Sequence, residues 1–168
     1  MAAYIKKLLE KAAESHPRIS GQPTDNDIFK MMEVLYPILH NANYDMITVA
    51  GQVNHNLISL IQHVVSYTAT WTAPFPRPVR PAPYDPNIPN AATPVVRNRM
   101  EAAHATVVSD FETYAAAKKG VSAFIQAVVD ETWIKPLRHP ITFYNNVTAY
   151  NLLEYLRTNS GGLHNTGK

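Results

Sequence analysis

Residues 93–134 read TPVVRNRMEAAHATVVSDFETYAAAKKGVSAFIQAVVDETWI, and the fold turns on how their apolar positions are spaced. Val96, Met100, Ala103, Val107, Phe111 and Tyr114 follow one another at steps of three and four, the spacing that lines up side chains on one face of an α-helix. Thr93 is placed to cap such a helix, and Pro94 takes the first position, where its missing donor costs nothing. Past Lys119 the pattern resumes with Val121, Phe124, Ile125, Val128 and Val129. Gly120 falls between the two runs. The reading is two helices, about 94–118 and 120–134, meeting at Gly120 as a bend or C-cap. Strict heptads fail because Asp110 would fall in the seam, which disfavours a long coiled coil.

Upstream lies a different kind of sequence. Residues 74–94 hold eight of the thirteen prolines, at 74, 76, 78, 81, 83, 86, 89 and 94. Neither a helix nor a central strand survives that density, so an extended polyproline segment is expected. Within it, Arg80-Pro81-Ala82-Pro83-Tyr84-Asp85-Pro86 fits the RxxPxxP spacing of peptides that dock into aromatic grooves, although a stiff linker accounts for it as well. Downstream, residues 138–147 form a connector. Thr148 then caps a last helix through about Arg157, with Val147, Leu152, Leu153, Tyr155 and Leu156 on its buried side. Gly161-Gly162 stops it.

The N-terminal part is also helical. Over residues 2–15, Tyr4, Ile5, Leu8, Leu9 and Ala12 share one face, with Lys6, Lys7, Glu10, Lys11 and Glu14 on the other. Thr24 caps a second helix running through about Leu39, with Asp25 and Asp27 near the positive end of its dipole. Its stripe is Ile28, Met31, Met32, Leu35 and Ile38 or Leu39, and Pro37 kinks or ends it. A third helix is expected over about 53–67, where Leu57, Ile58, Leu60, Ile61, Val64 and Val65 are dense enough for burial on more than one side. The fold expected is therefore all-α: a bundle of about five or six helices interrupted by the proline-rich segment. It divides into an N-terminal helical region over 1–73, a linker over 74–94 and a C-terminal helical region over 95–168.

Composition limits the chemistry. Of 168 residues, 46% are hydrophobic and 17% charged, the balance of a chain that can bury a core. With no cysteine, disulfides, thiolate metal sites and cysteine nucleophiles are excluded. The N-terminus lacks the apolar run of a secretory signal, and no stretch nears about 18 consecutive apolar residues. A cytoplasmic location without membrane insertion is expected, and the Asn146-Val147-Thr148 sequon is a chance match. The net charge of +2 is too small to argue for nucleic acid by itself. The excess is local: residues 74–100 carry four arginines against Asp85 alone. Arg77, Arg80, Arg97 and Arg99, with Tyr84 beside them, are candidate contacts for a single nucleic-acid strand, binding weakly for want of charges.

Seven histidines stand at 16, 40, 55, 63, 104, 139 and 164. A shared metal wants helical ligands three or four apart; His55 and His63 are eight apart and no HExxH frame exists. There is no GxSxG elbow and no glycine-framed phosphate loop. Asp130-Glu131 are neighbours that point apart on a helix, a poor acid/base couple. No catalytic residue, metal, cofactor or small-molecule substrate is expected. An enzyme would rest only on the unassigned histidines.

Residues 110–164, DFETYAAAKKGVSAFIQAVVDETWIKPLRHPITFYNNVTAYNLLEYLRTNSGGLH, carry a family resemblance. The pattern is a helix ending in tryptophan and leucine, a connector with a tyrosine, and a capped V-T-x-x-x-L-L-x-x-L helix. Here the matching residues are Trp133, Leu137, Tyr144, Val147, Thr148, Leu152, Leu153 and Leu156. The stretch resembles the gag-like leader region of Copia-type retrotransposon polyproteins, protist versions especially. NHNLISLI and YDPNIPNAATP, between about Asn54 and Met100, look like the same proteins. The resemblance implies a helical capsid-like building block that self-associates and packages RNA. The matched positions are packing positions, so no catalytic residue carries over. The chain departs from the pattern in lacking the cysteines of a zinc knuckle and any protease, integrase or polymerase segment. The alternative reading is a helical adaptor that works through its proline-rich segment.

Overall fold

A computed structural model describes residues 1–41, 57–61, 80–85 and 93–160. Helix α1 spans Ala2–Ser15 and buries Ile5 and Leu9. It stops at His16, which is extended because Pro17 behind it disfavours the helical region. Helix α2 spans Asp25–Asn41. Its start is a reciprocal box with aspartate in the usual glutamate place: the Asp27 amide donates to Thr24 Oγ1 (3.2 Å) and the Thr24 amide to the Asp27 carboxylate (2.9 Å). Ile28, Met31, Leu35 and Leu39 form its buried stripe.

Helix α3, Pro94–Val128, is the longest element, and α4 spans Ala149–Ser160. Two single 3-10 turns, Glu131–Trp133 and Lys135–Leu137, lead out of α3. Another, Leu57–Leu60, sits against α2 and α3 with Leu57, Ile58 and Ile61 buried. The core is one cluster fed by every helix. Its largest fully buried side chains include Phe124, Met31, Leu9, Leu35, Leu152 and Leu153. Full burial of each such side chain contributes about 1.5–3 kcal/mol.

The dominant packing is α1 on the C-terminal half of α3. Leu9 meets Gly120, His16 lies edge-on to Phe124 with centroids 5.6 Å apart, and the Ile19 amide donates to the Val128 carbonyl (2.9 Å). Residue numbers rise together on both partners, so α1 and this half of α3 run in the same direction. Helix α4 packs on α3 and α2.

The all-α class holds among the described residues: there is no strand, and a lone bridge joins His139 to Phe143. The count is four α-helices there, where five or six were expected. Two differences lower the count, at Gly120 and over 53–67, and a third moves a boundary. Gly120 does not divide α3, because a Cβ there would lie 2.5 Å from Leu9 Cδ1; the glycine is a close-packing device and its helical bonds continue. The helix ends at Val128 instead of near 134, because Asp130 caps a separate turn, its carboxylate accepting from the Thr132 amide (2.9 Å). The helix expected over 53–67 lies mostly outside the described residues, and its described part is one 3-10 turn. Pro37 likewise does not end α2, which continues to Asn41; the proline sits near the C-terminus on the exposed side, where water can satisfy the carbonyl it leaves unpaired. Helix α4 runs to Ser160, past the Arg157 expected. Among the described residues no helix is long and apolar enough to cross a membrane.

Candidate interaction surface

Two halves of one helix set this surface. Thr93 Oγ1 accepts from the Val96 amide at 3.4 Å and Pro94 occupies the first position, as the sequence predicts. From Thr113 to Val128, α3 buries Tyr114, Ala117, Val121, Phe124, Ile125 and Val128. From Pro94 to Ala103 every residue is exposed. The same three-and-four stripe thus runs out of the core into solvent: Val96 is 40% exposed, Met100 38% and Val107 54%. An apolar stripe left in solvent is a candidate interaction surface.

Residues 80–85 lie along one flank of this exposed half. The Arg80 guanidinium sits 5.4 Å from the Phe111 ring centroid, and Tyr84 stacks on His104 with centroids 5.6 Å apart. Going from 80 to 84 the helix partners fall from 111 to 104, so the segment runs antiparallel to α3. Four residues of polyproline helix rise about 12 Å and seven of α-helix about 10.5 Å, which lets both contacts form together. The segment rests on His104 and Phe111, both half-buried, while Val96, Met100, Ala103 and Val107 are exposed.

The candidate strand-binding residues are accordingly dispersed. Arg80 and Tyr84 are engaged on the chain's own helix. Arg97 and Arg99 are both exposed, but two steps of about 100° put them roughly 160° apart around α3. Arg77 lies outside the described residues. The packing motif is drawn together instead: Tyr144, Leu152, Leu153 and Leu156 are buried, and Trp133 and Leu137 are half-buried against the same core. Thr148 Oγ1 caps α4 by accepting from the Asn151 amide (3.1 Å).

The connector between the 3-10 turns and α4 is tightly built. His139 and Phe143 exchange backbone hydrogen bonds of 2.9 Å each way, and His139 Nδ1 accepts from the Ile141 and Thr142 amides. Phe143 has φ 54°, costly for a side chain with a Cβ. Arg138, 4.6 Å above its ring and 3.2 Å from the Glu131 carboxylate, helps hold it there. Ile141, 80% exposed, and Phe143 project outward. The spacing of apolar residues did not single them out, because a tight turn has no helical or strand period. The Tyr144 hydroxyl is buried without a hydrogen bond of good geometry. Burial, then the nearby Glu131 charge, raises its pKa above the ordinary phenol value.

Two grooves flank the C-terminal half of α3. One, about 520 Å³, lies between α1 and α3 over Leu9, Ala116, Ala123 and Phe124. The other, about 580 Å³, lies between α3 and the connector over Phe111, Tyr114, Phe143 and Val147. The first is walled mainly by apolar carbons, with Lys6, Glu10, Glu14 and Lys119 about it; the second also has Ser122, Gln126 and Asn145 in its lining. The ionisable groups elsewhere are used one by one. Asp130 faces Arg18 (3.8 Å) and caps its turn, while its neighbour Glu131 pairs with Arg138. His16 and His40 pack on Phe124 and Tyr36. Among the described residues no three His, Asp or Glu are grouped as a metal site; His55, His63 and His164 lie outside them. No protein-family model matches the chain, and no curated protein or solved structure does.

Proposed function

We propose that this chain is a gag-like structural protein that acts in the cytoplasm, without catalysis, by associating with copies of itself. The observation that carries this reading is the apolar stripe of α3 continuing past the core as exposed Val96, Met100 and Val107. Helical faces of this kind are stabilised by being covered. The packing motif of the resemblance supports it, since Tyr144, Leu152, Leu153 and Leu156 share one core with α1 and α2. RNA packaging belongs to the same reading, with Arg97 and Arg99 as exposed cations on opposite sides of α3.

Light scattering over rising concentration, with and without single-stranded RNA, tests the proposal. Mass growing with concentration, and further with RNA, is expected. A strictly monomeric chain that ignores RNA would refute it. The adaptor reading meets a specific obstacle. The arginine and tyrosine of its RxxPxxP motif already stack on Phe111 and His104. Releasing two exposed ring contacts costs about 1–2 kcal/mol, roughly a five- to thirty-fold loss in affinity for any groove that takes the peptide.

A further inference from the structure

The geometry points to the exposed half of α3 pairing antiparallel with the same half of a second copy, about a two-fold axis between Ala103 and His104. This rests on the self-association proposed above and names its surface. In that register Val96 faces Phe111 of the other copy and Met100 faces its Val107. A two-fold pairing repeats each contact. Ala103, small and exposed, lies at the axis and lets the two backbones approach.

Charge selects the occupant and the direction. Residues 94–100 carry Arg97 and Arg99 and no carboxylate, whereas 101–117 carry Glu101, Asp110 and Glu112 and no lysine or arginine. Laid antiparallel, two copies set the basic end of each helix beside the acidic end of the other. Laid parallel, they set like against like. Arg99 and Asp110 share one flank of the stripe, within about 20° around the axis, and the antiparallel register brings one of each together on that flank. It is the flank opposite His104, so residues 80–85 stay clear of it. Asp110 has a partner in its own chain, and a carboxylate has lone pairs for a second. A register shifted to set Val96 against Val107 would bury the stripe also, but it moves Arg99 away from the carboxylates.

The chain has no cysteine, which makes single-cysteine crosslinking clean. Val96→Cys, Ala103→Cys and Val107→Cys are each made in the full chain and oxidised while light scattering follows association of the unmodified protein. A disulfide dimer forming readily with Ala103→Cys and at least about ten-fold more slowly with Val96→Cys is expected, because in this register the two Val96 positions lie about 22 Å apart along the axis. Equal crosslinking at Val96 and Ala103 would mean parallel pairing and overturn the inference. Association without crosslinking at any of the three would overturn this surface and leave self-association standing. An unmodified chain that stays monomeric at every concentration would overturn both, and a Val107→Cys thiol shielded from a thiol reagent in that monomer would show that the chain covers its own stripe. Association lost in Val107→Cys while the unmodified chain still associates would support this surface.

Discussion

The two halves of α3 have similar spacing of apolar residues and opposite surroundings. Between Thr113 and Val128 the stripe is closed over by α1 and α4; between Pro94 and Val107 it faces solvent, with residues 80–85 along one flank. Periodicity therefore specifies a helix and says nothing of what covers it. What differs is which side chains flank the stripe. The covered half carries Ala115, Ala116, Gly120, Ala123 and Ala127 along the α1 side, which lets α1 approach closely. The open half carries Arg97, Arg99 and Glu101, which keep water.

The contrast can be broken most severely in the covered half. Phe124→Ala should cost about 3–5 kcal/mol in chemical denaturation, because Phe124 is fully buried and its loss opens a cavity under α1. Gly120→Val should cost about 1–3 kcal/mol by crowding Leu9. Gly120→Ala should be close to neutral. Its Cβ meets mainly the flexible end of Leu9, and alanine adds about 1 kcal/mol of helix propensity. Equal losses for alanine and valine would mean that Leu9 cannot yield.

Gly120 also shows how much was legible in the sequence. The helix class, the Thr93-Pro94 start, the Thr148 cap and the extent of α1 could be read locally, because caps and amphipathic faces are properties of a few adjacent residues. Whether a glycine ends a helix or admits a neighbour depends on Leu9, far away in the chain, and no local window contains both. The same limit hid the exposure of Val96, Met100 and Val107. Their spacing is that of a core, and what makes them a surface is that, among the described residues, no helix packs above them. Phe143 left no periodic signal, and its left-handed backbone is set by the His139 turn. The engagement of Arg80 and Tyr84 on α3 was likewise out of reach, since a proline-rich stretch reads as extended without saying where it lies.

Smaller effects compare the two ends of α3. At the open end, Thr93→Ala removes one cap and should cost about 0.5–1 kcal/mol; the 3.4 Å bond argues for the lower figure. At the covered end, Asp130 is held below the usual carboxylate range, first by the Thr132 amide and then by that residue's side chain, with Arg18 adding to it. A depressed folded value means that its contribution is present above the unfolded value of 3.8 and disappears as pH falls through the folded one. Asp130→Asn should therefore lower Tm at neutral pH and leave it nearly unchanged well below pH 3.8. A deficit that persists undiminished in acid would show that the charge is not what stabilises this turn.

The smallest stability effect should accompany the largest effect on assembly. Val107→Asp changes an exposed position and should move unfolding by no more than about 0.5 kcal/mol. In the proposed pair it places a carboxylate against Met100 of the other copy. Light scattering on the unmodified chain and on this variant, at matched concentrations, tests the account most directly. The unmodified chain should rise above the 18.7 kDa of one copy as concentration increases, while Val107→Asp stays at that mass with helical content unchanged. The account is contradicted if the unmodified chain keeps the mass of one copy throughout, or if both proteins associate alike.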